Sequence, residues 1–322
     1  MGTKFGGTEW KLRGHIVGER DVRSKLDNDK RTGDRKVNDT FTGFVDNLGP
    51  KERWTNEINH KRTFIERALS RELSIKEVHI IGSYARDTLI EGPEGIDIMF
   101  ILDKDQHGDW LQHTNGPSDC LRYIREKLLE RTEFHDADIE TDHNSVTVGF
   151  GKFKFNIVPA FRSERGYSIP SPTGRQHWIS TDPRVFNKIM GHLDKKFKGR
   201  MNEIIKIVKG WNDANGKLLH SFHIENMVYE HFKDRPSTII SSLQEDILNF
   251  YARLPTYIQN PTTEPVYRER IDAYLDRNRS EAIDRAQRTV DKLILAEDHR
   301  RRGRFERALE YYKKVFGTKF PQ

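Results

Sequence analysis

Cysteine is nearly absent from this chain: Cys120 stands alone among 322 residues, so no disulfide framework or cysteine-rich metal staple can hold the fold together. Cys-x-x-Cys, Gly-x-x-x-x-Gly-Lys and Gly-x-Ser-x-Gly are also missing, which removes the redox, Walker-type and nucleophile-elbow readings. No apolar run approaches the ~20 residues of a membrane span, and the first residues carry charges where a secretory leader needs an apolar stretch. These absences set the expectation of a soluble cytoplasmic protein with no membrane partner. Charge is plentiful: 55 Lys and Arg against 49 Asp and Glu leave a net charge of +6. An excess of that sign suits polyanions such as nucleotides or nucleic acid. Its densest runs are Lys195, Lys196, Lys198 and Arg200, then Arg300, Arg301, Arg302 and Arg304, and solvated helix faces explain both by default.

Residues 1–40 are polar and Gly-rich with no sustained apolar period, and read as an irregular arm. Trp54, Ile58, Phe64, Ile65, Ala68 and Leu69 recur at helical spacing and predict a helix over 51–73. Val78–Ile81 and Ile96–Leu102 are β-branched runs bounded by Gly and Pro, hence buried strands. A helix over 117–131, a hairpin of 145–150 with 153–158 across Gly151-Lys152, and a loop-rich stretch over 162–184 follow. From Pro183 the pattern is helical, ending in a helix over 304–316 that Gly317 caps. The expected fold class is α+β: an arm (1–40), a mixed sheet flanked by helices (41–182) and an all-helical lobe (183–322), with a cleft between the last two.

The chemistry concentrates between the first two strands. Ile80-Ile81-Gly82-Ser83-Tyr84-Ala85-Arg86-Asp87-Thr88 places a Gly-Ser turn after one strand, and Gly95-Ile96-Asp97-Ile98 places an acid on the next. Without a Cβ at Gly82 the backbone amides can approach phosphate oxygens, the Ser83 hydroxyl adds a donor, and a helix start nearby favours an anion. Residues i and i+2 of a strand share a face, so positions 95 and 97 do.

This layout resembles the nucleotidyltransferases of the DNA polymerase β superfamily, whose pattern is Gly-Ser, a short helix, then Asp-x-Asp, with a third acid on a neighbouring strand. More of the chain resembles the cGAS/DncV-like nucleotidyltransferases, the cyclic oligonucleotide synthases of bacterial antiphage signalling, which share their fold with animal cGAS and oligoadenylate synthetases. The matching pieces are Gly82 to Thr88, Ile96-Asp97-Ile98, Val158-Pro159-Ala160, Tyr167-Ser168-Ile169-Pro170, Trp178 to Pro183, Ile207 to Trp211, Leu219 to Glu225 and Val315 to Pro321. They span most of residues 55–321.

The resemblance implies NTP substrates, Mg²⁺ or Mn²⁺ held by carboxylates, a nucleotide second messenger as product, and a regulatory protein or effector as partner. It assigns Lys209 and Ser221 to the donor triphosphate and Phe222 to base stacking. Read on the helix alone, Lys209 is an ordinary solvated lysine and Phe222 a core aromatic. The chain departs from the pattern at two acids: Gly95 stands at the first position and Asn156, in Phe155-Asn156-Ile157-Val158-Pro159, at the third. Asp97 alone remains. Glu94 points to the opposite strand face and Glu91 could enter only through a loop rearrangement, so two hard cations facing a triphosphate would be poorly held. Activity as given is expected to be weak or nil. A catalytically silent nucleotide- or RNA-binding sensor or partner subunit is the alternative, and an RNA-end nucleotidyltransferase shares the same core. His220 and His223 have metal-ligand spacing but no further ligand completes a zinc site.

Overall fold

A computed structural model describes residues 9–51, 53–91, 95–172, 177–236 and 241–321. Its helices and strands run, in order, α1 (Glu9–Leu48), α2 (Arg53–Leu69), β1 (Ile75–Ile80), α3 (Gly82–Ala85), β2 (Ile96–Leu102), α4 (Lys104–His107), α5 (Gly116–Leu129), β3 (Asp138–Thr141), β4 (Val146–Phe150) and β5 (Phe153–Ser163). Then come β6 (Gly166–Pro170), β7 (Trp178–Thr181), α6 (Pro183–Lys196), α7 (Arg200–Ala214), α8 (Ser221–Phe232), α9 (Leu243–Gln259), α10 (Arg279–Arg301) and α11 (Phe305–Phe316).

The strands pair in the order β1-β2-β5-β4-β3, with β6 on the far end of β5 and β7 on β6. The β2/β5 pair is parallel and its neighbours are antiparallel, so the sheet is mixed. Period-two alternation gives β2 and β5 two different faces. On one, Ile96, Ile98, Phe100, Phe155 and Ile157 join Val146 and Val148 in a core covered by Ile58, Ile65 and Leu69 of α2 and by Cys120, Leu121 and Ile124 of α5. On the other, Met99, Ile101 and Ala160 form a small cluster with Tyr167. The positions beside that cluster, toward the start of β2, carry Asp97 and its neighbours.

A second core fills the helical half. Ile204, Val208 and Trp211 of α7 pack with Ile224 and Val228 of α8, Phe250 and Leu254 of α9, Leu293 of α10 and Phe316 of α11. The terminal helix ends as expected at Gly317, whose φ of +76° a residue with a Cβ adopts only at a cost.

The N-terminal arm is corrected by the structure: residues 9–48 are one long helix rather than irregular chain, while 1–8 lie outside the described residues. Its last turns carry Val37, Phe41, Phe44 and Leu48 at helical spacing, all fully buried against the helical half. Phe41 meets Tyr312 edge to face at 4.8 Å and Phe320 at 5.1 Å. Polar residues outnumber these anchors along α1, so its period is masked until a partner face is known. The loop-rich reading of 162–184 is corrected likewise, because β5 continues to Ser163 and β6 and β7 extend the sheet.

Candidate functional site

Register brings the site residues together across three strands. In the parallel pair Asp97 lies opposite Asn156, and in the antiparallel pair Asn156 lies opposite Thr147. The Asn156 Nδ2 donates to Asp97 Oδ1 at 2.8 Å, and the Thr147 hydroxyl donates to Asn156 Oδ1 at 3.0 Å. The Asp97 carboxylate, which only accepts, takes the N–H end of the amide, and the Thr147 hydroxyl, able to donate or accept, adapts to the oxygen end.

Two glycines crowd this row. A Cβ at Gly95 would overlap Asn156 Nδ2 and come within 2.6 Å of its Cγ and Oδ1. The Asn156 amide thus occupies the place that a side chain at position 95 would use. A Cβ at Gly82 would overlap the Asp97 carboxylate, and Gly82 has φ +70°, so the Gly-Ser turn sits directly on Asp97. The Ile81 amide donates to the Asp97 carbonyl at 2.9 Å and holds that approach. Ser83 is buried within α3. Because α3 is a single turn of four residues, the helix-dipole contribution expected from the sequence is small.

Lys209, which the resemblance assigns to a triphosphate, has a different environment here. It is 1% exposed, and its Nζ donates to the Thr88 carbonyl at 3.0 Å and to Glu225 Oε1 at 2.9 Å. Glu225 is fully buried and also receives Arg86 Nε at 2.8 Å and the Thr88 hydroxyl at 2.6 Å. Burial alone would push this carboxyl up, but the Arg86 and Lys209 charges and the hydrogen bonds prevail and hold it at about 2. The Thr88 amide reaches back to the Ser83 carbonyl at 2.9 Å. A charge network therefore runs from α7 and α8 into the Gly-Ser turn.

Ser221 and Phe222 open α8. Phe222 is 38% exposed, against the core reading of an aromatic on an apolar helix, and its ring meets Phe186 at 5.0 Å. The other neighbour of Phe186 is the Arg86 guanidinium, 4.9 Å from the ring centroid. His220 stacks on Tyr274 at 3.5 Å, and His223 is buried between Tyr274 Oη and Thr262 Oγ1 at 2.9 and 3.0 Å. Both histidines are thus structural.

Half of the residues in the basic runs are ion-paired. Arg300 pairs with Asp34 and Glu297, Arg301 with Glu297, Arg302 with Asp298, and Arg200 with Glu203 and Asp246.

Arg86, Thr88, Thr147 and Glu225 had no role in the sequence reading. Arg86, Thr88 and Glu225 fall within the Gly82 to Thr88 and Leu219 to Glu225 motifs, which were the signal that could have singled them out; Thr147 had none, since its role depends on register.

The donor set does not fit a two-ion site. Two magnesium ions need several converging oxygens, whereas Asp97 is met by an amide N–H, and no group of three or more His, Cys, Asp or Glu among the described residues could hold a metal.

Residues 36–193 match the Second Messenger Oligonucleotide or Dinucleotide Synthetase domain. A probable cyclic nucleotide synthase of Bacillus cereus (strain VD146) is 26% identical over 275 residues, covering 76% of this chain and 82% of that protein. The fold is similar to that of E. coli MS115-1 CdnC solved with ATP (TM-score 0.70, 16% identity, 88% of this chain and 99% of that one). It is also similar to Vibrio cholerae DncV cyclic AMP-GMP synthase (TM-score 0.60, 13% identity, 95% and 92%). With the Gly-Ser turn seated on the acid of β2, residues 36–193 carry the synthetase domain and the chain resembles the cGAS/DncV-like nucleotidyltransferases, the bacterial cyclic oligonucleotide synthases among them.

Proposed function

We propose that this chain binds a nucleoside triphosphate between the sheet and the helical half, and that with Gly95 and Asn156 in place it holds the nucleotide without joining it to another. The observation that carries the second part is the Asn156 Nδ2 to Asp97 Oδ1 bond. An amide donor spends its proton on the carboxylate oxygen that a divalent ion would need, and a side chain at Gly95 could enter only by displacing the end of the Asn156 side chain. Nucleotide binding is supported by the Gly82-Ser83 turn, which is seated directly beside Asp97, and by the exposed ring of Phe222 at the start of α8. CdnC, solved with ATP and in another structure with a HORMA protein, supports NTP as the ligand class and a regulatory protein as a further partner. The cytoplasm is the expected compartment, in keeping with the lack of any helix long and apolar enough to cross a membrane among the described residues.

Acid-complete, the same scaffold is expected to make a nucleotide second messenger. Two measurements test the reading together. Thermal shift with ATP, GTP, CTP, UTP and a short RNA should reveal an NTP that stabilises the chain. Phe222→Ala should weaken it by about 1–3 kcal/mol, the value of one base–aromatic stack. Labelled NTPs with Mg²⁺ or Mn²⁺ should give phosphatase-resistant product from the Gly95→Asp/Asn156→Asp chain and none from the unaltered one. Product from the unaltered chain overturns its silence, a shift by RNA alone replaces the ligand, and no shift by any NTP overturns the nucleotide cleft.

A further inference from the structure

We infer that Glu225 is a positioning residue: it locks the phosphate-gripping turn to the base platform so that the two act on one nucleotide as a unit. The inference rests on the nucleotide reading above and adds what couples its two halves.

Glu225 lies three residues after Phe222 and four after Ser221 on α8, so it stands one turn below them on the same side of the helix. Its two oxygens face different parts of the turn. Oε2 takes Arg86 Nε at 2.8 Å, and Oε1 takes the Thr88 hydroxyl at 2.6 Å and Lys209 Nζ at 2.9 Å. Thr88, its hydroxyl proton committed to the carboxylate, binds the Ser83 carbonyl through its amide at 2.9 Å. From the carboxylate to Ser83 the path is therefore two hydrogen bonds long. A second route reaches the same platform, since Arg86 lies over Phe186 and Phe186 meets Phe222.

All four polar residues of this junction are buried, with Glu225 and Thr88 fully so. In such a setting charge-assisted bonds are short and resist screening. A salt bridge there adds little net stability but strongly fixes which geometry forms. Here that geometry is the distance and angle between the Ser83 turn and the Phe222 ring. Holding two weak subsites at a fixed separation turns the second contact into an intramolecular one, which raises affinity for a ligand that spans both without improving either alone.

The experiment compares three probes on the intact chain: ATP, adenosine and tripolyphosphate, with affinities from calorimetry or ligand-observed NMR. In the unaltered chain ATP should bind far more tightly than either fragment. Glu225→Gln should weaken ATP about tenfold while adenosine and tripolyphosphate stay within twofold. Thr88→Val, which cuts one link and leaves every charge in place, should weaken ATP about threefold with the same pattern, and serves if the first variant does not fold. Equal losses for all three probes, or unchanged ATP affinity in a folded variant, would overturn the positioning role while leaving the nucleotide cleft standing. Failure of the unaltered chain to bind ATP would instead overturn the cleft and this role with it.

Discussion

Asn156→Asp on its own should destabilise the chain, and by an amount the site geometry sets. The Asn156 Nδ2 lies 2.8 Å from Asp97 Oδ1, and Asp has the same shape with an oxygen where that nitrogen was. The substitution removes a hydrogen bond to a charged group, worth about 1.5–3 kcal/mol. It also sets two carboxylates side by side. At ~4 Å between charge centres and an effective dielectric near 20 their repulsion is about 4 kcal/mol, but both residues are partly exposed, so solvent and rotamer relaxation leave ~1–2 kcal/mol of it. The sum, about 2.5–5 kcal/mol, corresponds to a fall in melting temperature on the order of 5–10 °C. The loss should appear at pH 8 in EDTA. It should fade as the pH falls toward 5, because close carboxyls raise the pKa of one of them and then share its proton. Millimolar Mn²⁺ should also reverse it by occupying the new oxygen pair, since an ion at 100 times its Kd adds about 2.7 kcal/mol. Equal melting temperatures for parent and variant in EDTA would refute the reasoning, as would a loss indifferent to both acid and metal.

Two other perturbations probe the surroundings of the site. Gly82→Ala must place a side chain at φ +70° and against the Asp97 carboxylate; the backbone term alone costs about 1–2 kcal/mol, so urea unfolding should show at least that loss, and Asp97→Ala in the same chain should recover only the part due to overlap. His223 is depressed to about 4, chiefly by burial, with Asp272 opposing and Arg279 and His220 adding to the fall. Because the unfolded chain binds this proton first, the stability is fully present above pH ~6.5 and is lost as pH falls toward 4, with about 3 kcal/mol at stake. His231 titrates in the same window and direction, whereas Glu225, held at about 2, lies below it. His223→Gln should therefore flatten, without abolishing, the slope of unfolding free energy between pH 6.5 and 4.5, and an unchanged slope would refute the assignment.

What the sequence made legible follows from the range of the forces involved. The strand carrying Asp97 was readable as a β-branched apolar run bounded by Gly and Pro, as expected of a strand buried on both faces, and the one carrying Asn156 as the second arm of a hairpin. Position 95 could be paired with 97 because residues i and i+2 of a strand share a face. What pairing cannot tell is which atoms occupy the space between them. That Asn156 fills the room above Gly95 depends on a parallel register fixed 59 residues away in sequence, and neither substitution announces the other. Lys209 shows the complementary failure. Its helical position was clear, but whether a lysine reaches a ligand or a buried acid depends on Glu225, Thr88 and Arg86 arriving from two other elements. The long first helix was illegible for a third reason, since its anchors Val37, Phe41, Phe44 and Leu48 occupy only the last turns, and their meaning comes from α11 at the opposite end of the chain. In each case local pattern specified the element while long-range packing specified its chemistry. Gly95 and Asn156 are consequently best treated as one coupled pair of positions. With Asn156 bonded to Asp97 the space at position 95 is filled by the amide, and with glycine at 95 the amide has room to make that bond, so a substitution at either position alone meets a site shaped by the other.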